Sequence, residues 1–435
     1  MRRGEFGIDL ILRLNLVRCF AMLNGSISTI KTSGVDVPTE TFRPNQSAQQ
    51  IIEAVRVNGE ISRRLIAKET GLSTPSVTRL INGLVSADFL QVEDSFSTEG
   101  AGPGRPASII RLNPDCGCII GVDVGEHVIQ VALSDMNGNI LAESQKSTDA
   151  EQGGDVTCEN IAVAVDEVLA EHRSLGKQDQ PLRAITIGAP GTIDPVSSSV
   201  VKAPMINGWS NFDLKGKLRE RLPFVPLRIE NDNNAAAIGE YAVGVAKGVD
   251  NFVYASIRRG IGAGIFINGK LYRGSAGFAG EMGKMVWDSN FAFSSTSGLG
   301  YLESICAEDA VVEREKQTLA GLEAENSQRP TIRSISKAAS AGNAKAIEVL
   351  SSILEPLGLA IANIASLLDP QVVVLGGDIH FAMDMAVDGL NQTIGKLVPT
   401  PPQVLASSLG DQAIIRGTLY QAHQDACDRL LVSTS

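Results

Sequence analysis

The sequence predicts an α/β protein preceded by a small helical module, on three observations. From Cys118 onward, apolar strands alternate with helices, and several strands end in Gly- or Asp-rich loops, the pattern of a layered protein with ligands at its strand ends. Residues 45–112 carry three short helical patterns followed by two strands. At 435 residues the chain exceeds one ordinary core, so a small domain and a larger bilobal one are expected.

Residues 1–44 hold six basic and four acidic side chains, 45–112 seven of each, and 113–435 carry a net −13 of the overall −11. That balance argues against non-specific adhesion to nucleic acid, so any DNA-contacting face must come from a few placed arginines. The stretch Ile8–Leu23 is apolar but broken by Asp9, Arg13, Asn15 and Arg18, and fails as a membrane span or targeting signal. The first 40 or so residues read as a poorly ordered extension, with Met22 as an alternative start. Of six cysteines (Cys19, Cys116, Cys118, Cys158, Cys306, Cys427), only Cys116 and Cys118 are close, as a C-x-C expected on one buried strand. No disulfide framework or zinc spacing is visible, which suits a reducing cytoplasm.

In the 45–112 module, Ala48, Ile51, Ile52 and Val55 recur at helical spacing, and Gly59 ends that helix. Ser62 can cap a second helix running to Thr70, with Gly71 as its turn. Thr74-Pro75 opens a third, where proline's missing N–H costs nothing. Val77, Leu80, Ile81 and Leu84 form its buried stripe. Thr74, Ser76, Thr78, Arg79 and Asn82 lie off that stripe, polar groups suited to phosphates and base edges in a major groove. Strands Phe89–Val92 and Ser108–Leu112 then frame a wing with Gly102-Pro103-Gly104-Arg105-Pro106 at its tip. Arg105, held extended there, suits a narrow minor groove. The pattern is that of a winged helix-turn-helix. A three-helix interaction domain with a linker is the alternative.

In the larger part, Ile119–Val124 reads as a strand ending in an Asp-x-Gly turn, followed by Val128–Ser134, a turn at Asn137-Gly138-Asn139, and Ile140–Glu143. A helix near 156–173 and strand Ala184–Ile187 follow. Ile229–Ala235 runs from strand into helix, 252–257 is a strand, and 260–264 reads as a glycine-rich turn. A long apolar helix spans about 344–368, and strand Val372–Leu375 ends in Gly376-Gly377-Asp378.

Several spaced motifs occur in order: Gly-Ala-Pro-Gly-Thr-Ile-Asp (188–194), Asn-Gly-Trp (207–209), Glu-Asn-Asp-x-Asn-Ala-Ala-Ala-x-Gly-Glu (230–240), Gly-x-Gly-Ala-Gly (260–264), Asn-Gly-Lys-Leu-Tyr-Arg-Gly (268–274), Gly-Glu-Met-Gly (280–283) and Leu-Gly-Gly (375–377). Over roughly 45–430 the chain resembles the ROK family of repressors, open reading frames and kinases. The resemblance implies two lobes of the actin/hexokinase-like (ribonuclease H-like) ATPase type over 116–435, with a sugar site in the cleft. The N-terminal winged helix is what the family's repressors carry and its kinases lack.

The departures from the family pattern are informative. Its kinases read Asp-x-Gly-Gly-Thr at the first phosphate loop, whereas this chain has Asp123-Val124-Gly125-Glu126-His127. A carboxylate and a ring are thus expected where backbone N–H groups should approach phosphate. Arg258 and Arg259 stand at the first two positions of the second, Gly-rich loop. The zinc-binding cysteines are replaced along Ser294–Glu303, and Lys284 stands at the zinc histidine, so a four-coordinate zinc cannot form there and no metal is expected.

The resemblance also places sugar contacts. Asp232 matches the kinases' base, and here would accept the hydrogen bond of the hydroxyl that kinases activate. Asn231, Glu281 and Glu303 match sugar-hydroxyl contacts. Met205 replaces an Asn, and Lys284 would meet a retained carboxylate or an acidic or phosphorylated sugar. The expectation is a cytoplasmic, nucleoid-associated repressor of carbohydrate genes without catalytic residues or cofactor. As a homodimer or homotetramer it would bind a palindromic double-stranded operator and respond to a sugar or sugar-phosphate effector. The alternatives are an ATP-dependent sugar kinase with an added DNA-binding head, and a DNA-binding protein that ignores ligands.

Overall fold

The computed structural model describes residues 45–94, 108–176, 180–203, 206–294, 300–319 and 329–433. The expected N-terminal extension, the wing tip with Arg105, and Met205 lie outside the described residues.

Helix α1 (Asn45–Asn58) buries Ala48, Ile51, Ile52 and Val55. A two-residue strand β1 (Ile61–Ser62) leads into α2 (Arg63–Thr70). The Ser62 hydroxyl accepts from the Leu65 N–H at 3.3 Å, and Gly71 closes α2 with φ 69°, a left-handed turn that glycine adopts without a Cβ penalty. Helix α3 (Thr74–Ser86) is capped by Ser73, carries Pro75 in its first turn, and buries Val77, Ile81 and Leu84. Strands β2 (Leu90–Asp94) and β3 (Ser108–Leu112) pair antiparallel as the wing. Strand β1 adds itself to β3, a third strand too short to show any periodicity in the sequence.

Cys116 and Cys118 do not share a strand, contrary to expectation. Pro114–Cys116 form a single 3-10 turn, because Pro114 favours its start and Asn113 Oδ1 accepts from the Asp115 N–H at 3.1 Å. Both thiols are nonetheless buried.

The first lobe begins with β4 (Cys118–Val124), β5 (Val128–Asp135) and β6 (Ile140–Ser147), an antiparallel meander. Asp135 Oδ1 accepts from the Asn137 and Asn139 N–H groups, both at 2.9 Å, which fixes the Asn-Gly-Asn turn. Helix α4 (Gly154–Ser174) crosses to β7 (Leu182–Ala189), parallel to β4. Short strands β8 (Thr192–Ile193), β9 (Val200–Lys202) and β10 (Ser210–Phe212) make a small side sheet. Helix α5 (Leu214–Arg219), β11 (Leu227–Asn231) and α6 (Asp232–Val243) follow.

The second lobe repeats this design. Strands β12 (Phe252–Ile257), β13 (Ile261–Ile267) and β14 (Lys270–Leu271) form the meander. Helices α7 (Ser289–Ser294), α8 (Tyr301–Cys306), α9 (Glu308–Arg314), α10 (Ile332–Ser340) and α11 (Ala344–Leu368) lead to β15 (Val372–Gly377). Helix α12 (Met383–Leu397), β16 (Gln403–Ala406) and the final helix α13 (Ala413–Ser433) complete it. The sheet orders β6-β5-β4-β7-β11 and β14-β13-β12-β15-β16 are the same arrangement twice, so the ends of β4 and β12 occupy equivalent places.

Two expectations are refined. Residues 261–264 belong to strand β13 and are not a turn. A Cβ at Gly264 would lie 2.8 Å from the Asn233 carbonyl oxygen, so glycine here lets α6 lie directly on the strand. Helix α11 is long and apolar enough to cross a membrane by length and composition, but Val349, Leu350, Ile353 and Leu357 on it lie in the second lobe's core.

Helix α13 packs against α6, β4 and β7, and also against α1. Its Ile415, Leu419, Ala422 and Ala426 share one apolar core with Ile51, Val55 and Leu112 of the winged helix. The head is therefore fused to the lobes through a common core.

Candidate functional site

On the head, helix α3 presents Thr74, Arg79 and Asn82 to solvent, with Ser76 and Thr78 half-buried beside them. Arg63 was not anticipated. Its guanidinium donates to Asn82 Oδ1 and to Ser108 Oγ, both at 3.4 Å, linking α2 to α3 and the wing strand. Arg64 and Lys68 of the same helix are exposed. The signal for all three was available in the sequence: an Arg-Arg pair directly after a helix-capping serine, and a lysine on the same helix.

Between the lobes, the chain reverses at the carboxyl ends of β4, β11 and β12, where α/β folds place ligands. Asp123 lies on β4 and is 7% exposed. Asn231 ends β11 and caps α6: its Oδ1 accepts from the Asn234 N–H at 3.0 Å, and its Nδ2 donates to Gly191 O at 2.9 Å and Asp232 Oδ1 at 3.1 Å. Asp232 Oδ1 also accepts from the Asn233 N–H at 2.8 Å and the Asn233 side-chain amide at 3.0 Å. Arg258 follows β12 and lies within electrostatic reach of both Asp123 and Asp232.

These surroundings shift the acids. Burial pushes the Asp123 carboxyl up to about 7, against the pull of Arg258 and with the added charges of Asp232 and Asp411. Burial also raises Asp232, opposed by Arg258 and by the N–H groups it accepts from.

A second cluster lies beside the first. Thr192 Oγ1 donates to Glu281 Oε1 at 3.2 Å, and burial together with the charges of Glu303 and Asp232 raises Glu281 while Lys284 opposes the rise. Lys284 Nζ donates to Glu303 Oε2 at 2.6 Å, and the same oxygen accepts from the Gly300 N–H at 2.9 Å. At the place of the family's zinc histidine, an ion pair now joins the Met282–Lys284 turn to α8. The five residues expected at a sugar site thus gather in one region. Among the described residues no group of His, Cys, Asp and Glu is arranged to hold a metal ion.

The residues of the two altered loops separate. The His127 side chain is 86% exposed and occupies no interior space, contrary to expectation, because it ends a tight β4–β5 turn in which Gly125 N–H bonds Val128 O. Glu126 pairs with Arg259, which donates onward to Asp309 at 3.2 Å. Arg333 of α10, also unanticipated, bridges Asp378 and Asp411 with hydrogen bonds of 2.7–3.0 Å. A cavity of about 240 Å³ is lined by Asn231 together with Ile193, Arg228, Glu230, Asn234 and Arg273. It is not lined by Asp232, Glu281 or Lys284.

Residues 119–425 match the family described as ROK, and residues 44–91 match winged helix-turn-helix DNA-binding domains. The chain is 28% identical over 383 residues to the xylose repressor of Bacillus subtilis (strain 168), covering 87% of this chain and 95% of that one. It is 33% identical over 282 residues to a glucokinase of Halalkalibacterium halodurans, covering 63% and 84%. The solved structure of a ROK family transcriptional regulator, homologous to the MLC protein of E. coli, superposes with a TM-score of 0.73 at 23% identity, covering 90% and 98%, a likeness of fold.

Proposed function

We propose that this chain, which belongs to the ROK family, is a sugar-responsive DNA-binding repressor whose kinase-like cleft receives an effector and performs no chemistry. The observation that carries this reading is helix α13: it backs α6, whose first residue is Asp232, and at the same time builds the core of the winged helix. A sugar that rearranges the cleft therefore acts on an element the head is built on.

Asn231, Asp232, Glu281, Lys284 and Glu303 would hold the sugar, and Thr74, Ser76, Thr78, Arg79 and Asn82 would meet the operator. A homodimer would present two α3 helices about one DNA turn apart on a palindromic site. Control requires the sugar to prefer one arrangement, typically by about 1–3 kcal/mol. A magnesium nucleotide does not suit the floor of the cleft, because Arg258 already sets a cation against Asp123 and Asp232. A gel-shift of the chain's own upstream DNA tests the reading. We expect retardation that a sugar relieves; no retardation of any upstream fragment would overturn it.

The kinase reading keeps two observations in its favour: the 33% identity to a glucokinase, and the acid Asp232 at the helix start with its carboxyl raised. Coupled ADP release across common hexoses and amino sugars decides this. We expect wild-type turnover no higher than that of Asp232→Asn, and turnover lost in that variant would reverse the assignment.

A further inference from the structure

We propose that the cavity lined by Arg228, Asn234 and Arg273 is a second ligand site, which takes a neutral polyhydroxylated molecule no larger than a hexose and acts on the head through α13. The site is independent of the cleft; its effect on DNA rests on the role given to α13 above.

Both lobes supply the walls. Ile193, Arg228 and Asn234 come from the first, Arg273 and Gly277 from the second. Of the five residues proposed to hold the effector in the cleft, only Asn231 lines this cavity. A space of about 150 Å³ holds a benzene ring in a protein interior, so about 240 Å³ admits one sugar ring.

The polar groups define what fits. Asn234 is 5% exposed, and its Nδ2 donates to Glu230 Oε1 at 3.1 Å. Its Oδ1 is buried with no partner among the described residues, so it calls for a donor. The guanidiniums offer the converse. Arg228 commits Nε and Nη2 to Asp425, and Arg273 commits the same two atoms to Glu230. Neither Nη1 makes a hydrogen bond among the described residues. A hydroxyl meets both needs, accepting from a guanidinium N–H and donating to Asn234 Oδ1, whereas a carboxylate accepts without donating. Charge points the same way: Asp425 and Glu230 already balance Arg228 and Arg273, so an anion meets no net cation here. Ile193 and Pro195 add an apolar wall that suits the C–H face of a sugar ring.

Two residues of this wall are tied to α13. Asp425, which holds Arg228, and Gln421, which donates to Glu230 Oε2 at 2.9 Å, both lie on that helix. Leu419 and Ala422 of the same helix build the head's core. A ligand that draws on Arg228 or Arg273 therefore bears on α13, and shifts the head as far as it prefers one arrangement.

Calorimetric titration of the full-length protein with D-xylose, D-glucose and D-glucitol, and with D-gluconate as the anion, tests this. We expect at least one neutral polyol to show a binding component that persists in Asp232→Asn and weakens at least about tenfold in Asn234→Leu. It should weaken severalfold in Arg228→Lys, which keeps the charge beside Asp425 but loses the remaining guanidinium nitrogen. Should Asn234→Leu fail to fold, Arg228→Lys, a change at a half-buried side chain, carries the test. In Asp232→Asn the same polyol should change operator affinity, read by fluorescence anisotropy, by at least about fivefold. A component lost in Asp232→Asn, or kept at full strength in Arg228→Lys and in a folded Asn234→Leu, overturns the inference while leaving the effector reading standing. So does D-gluconate binding this site more tightly than the polyols, or occupancy that leaves operator affinity unchanged. No binding of any polyol to a protein that still retards its operator overturns both readings.

Discussion

Glu126, in the turn after β4, forms an ion pair with Arg259, in the equivalent turn after β12, and so joins the two lobes across the mouth of the cleft. Arg259 is 41% exposed and Glu126 21%, so solvent screens the pair and its contribution is at most about 1 kcal/mol. Arg259→Ala should weaken sugar binding by no more than about fivefold at low salt, with the difference vanishing near 1 M salt. Calorimetry at two ionic strengths checks this. A salt-independent loss would place Arg259 in direct contact with the ligand.

The Arg63–Asn82 contact gives a prediction for DNA binding. Asn82→Ala and Arg79→Ala should each cost about 1–3 kcal/mol of operator affinity. Arg63→Ala should also weaken binding, because it releases Asn82 from one orientation. Fluorescence anisotropy on the operator measures all three, with circular dichroism to verify folding. Full affinity in Arg63→Ala would show that its contact with Asn82 has no bearing on recognition.

Asp123 should make stability depend on pH. Its carboxyl is raised to about 7 in the folded chain, so the native state holds a proton that the unfolded chain releases near pH 4. Its contribution is fully present below that lower value and is lost as pH rises through about 7. Asp123→Asn, which cannot ionise, should gain on the wild type between pH 5 and pH 8 by up to about 2.5 kcal/mol. Paired urea denaturations at the two pH values measure the difference, and an unchanged gap would mean that Asp123 stays ionised throughout.

Leu419 of α13, 5% exposed within the core shared with the head, tests the coupling. Leu419→Ala should cost about 2–5 kcal/mol of stability. In the fraction that remains folded it should bind both DNA and sugar while releasing DNA less completely when sugar is added. Anisotropy with and without sugar reads this directly; an unimpaired response would move the coupling to another contact.

Much of the fold was legible because its signals were local. Ser62, Gly71 and Pro75 marked helix ends by cap chemistry, and strand 252–257 and helix 344–368 appear with the bounds their apolar runs suggested. The misreadings involve contacts distant in sequence. Glycines 262 and 264 resemble a turn until α6 is laid against them. Strand β1 exists only because β3, nearly fifty residues later, pairs with it. The cleft acids were found through spaced motifs. Arg333 and the pairing of Glu126 with Arg259 were not, since nothing in a linear pattern brings residue 333 to residue 411 or residue 126 to residue 259.

The core that α13 shares with the winged helix has a consequence for the genome this protein would read. A head on a slack tether could follow a half-site that drifts along the duplex. One built into the rest of the molecule leaves little such slack. For the homodimer proposed above, inserting about five base pairs between half-sites, half a helical turn, would turn one of them to the far side of the duplex, and no loosened linker would be there to compensate. Spacing, more than the letters between the half-sites, would then be the property that natural operators preserve.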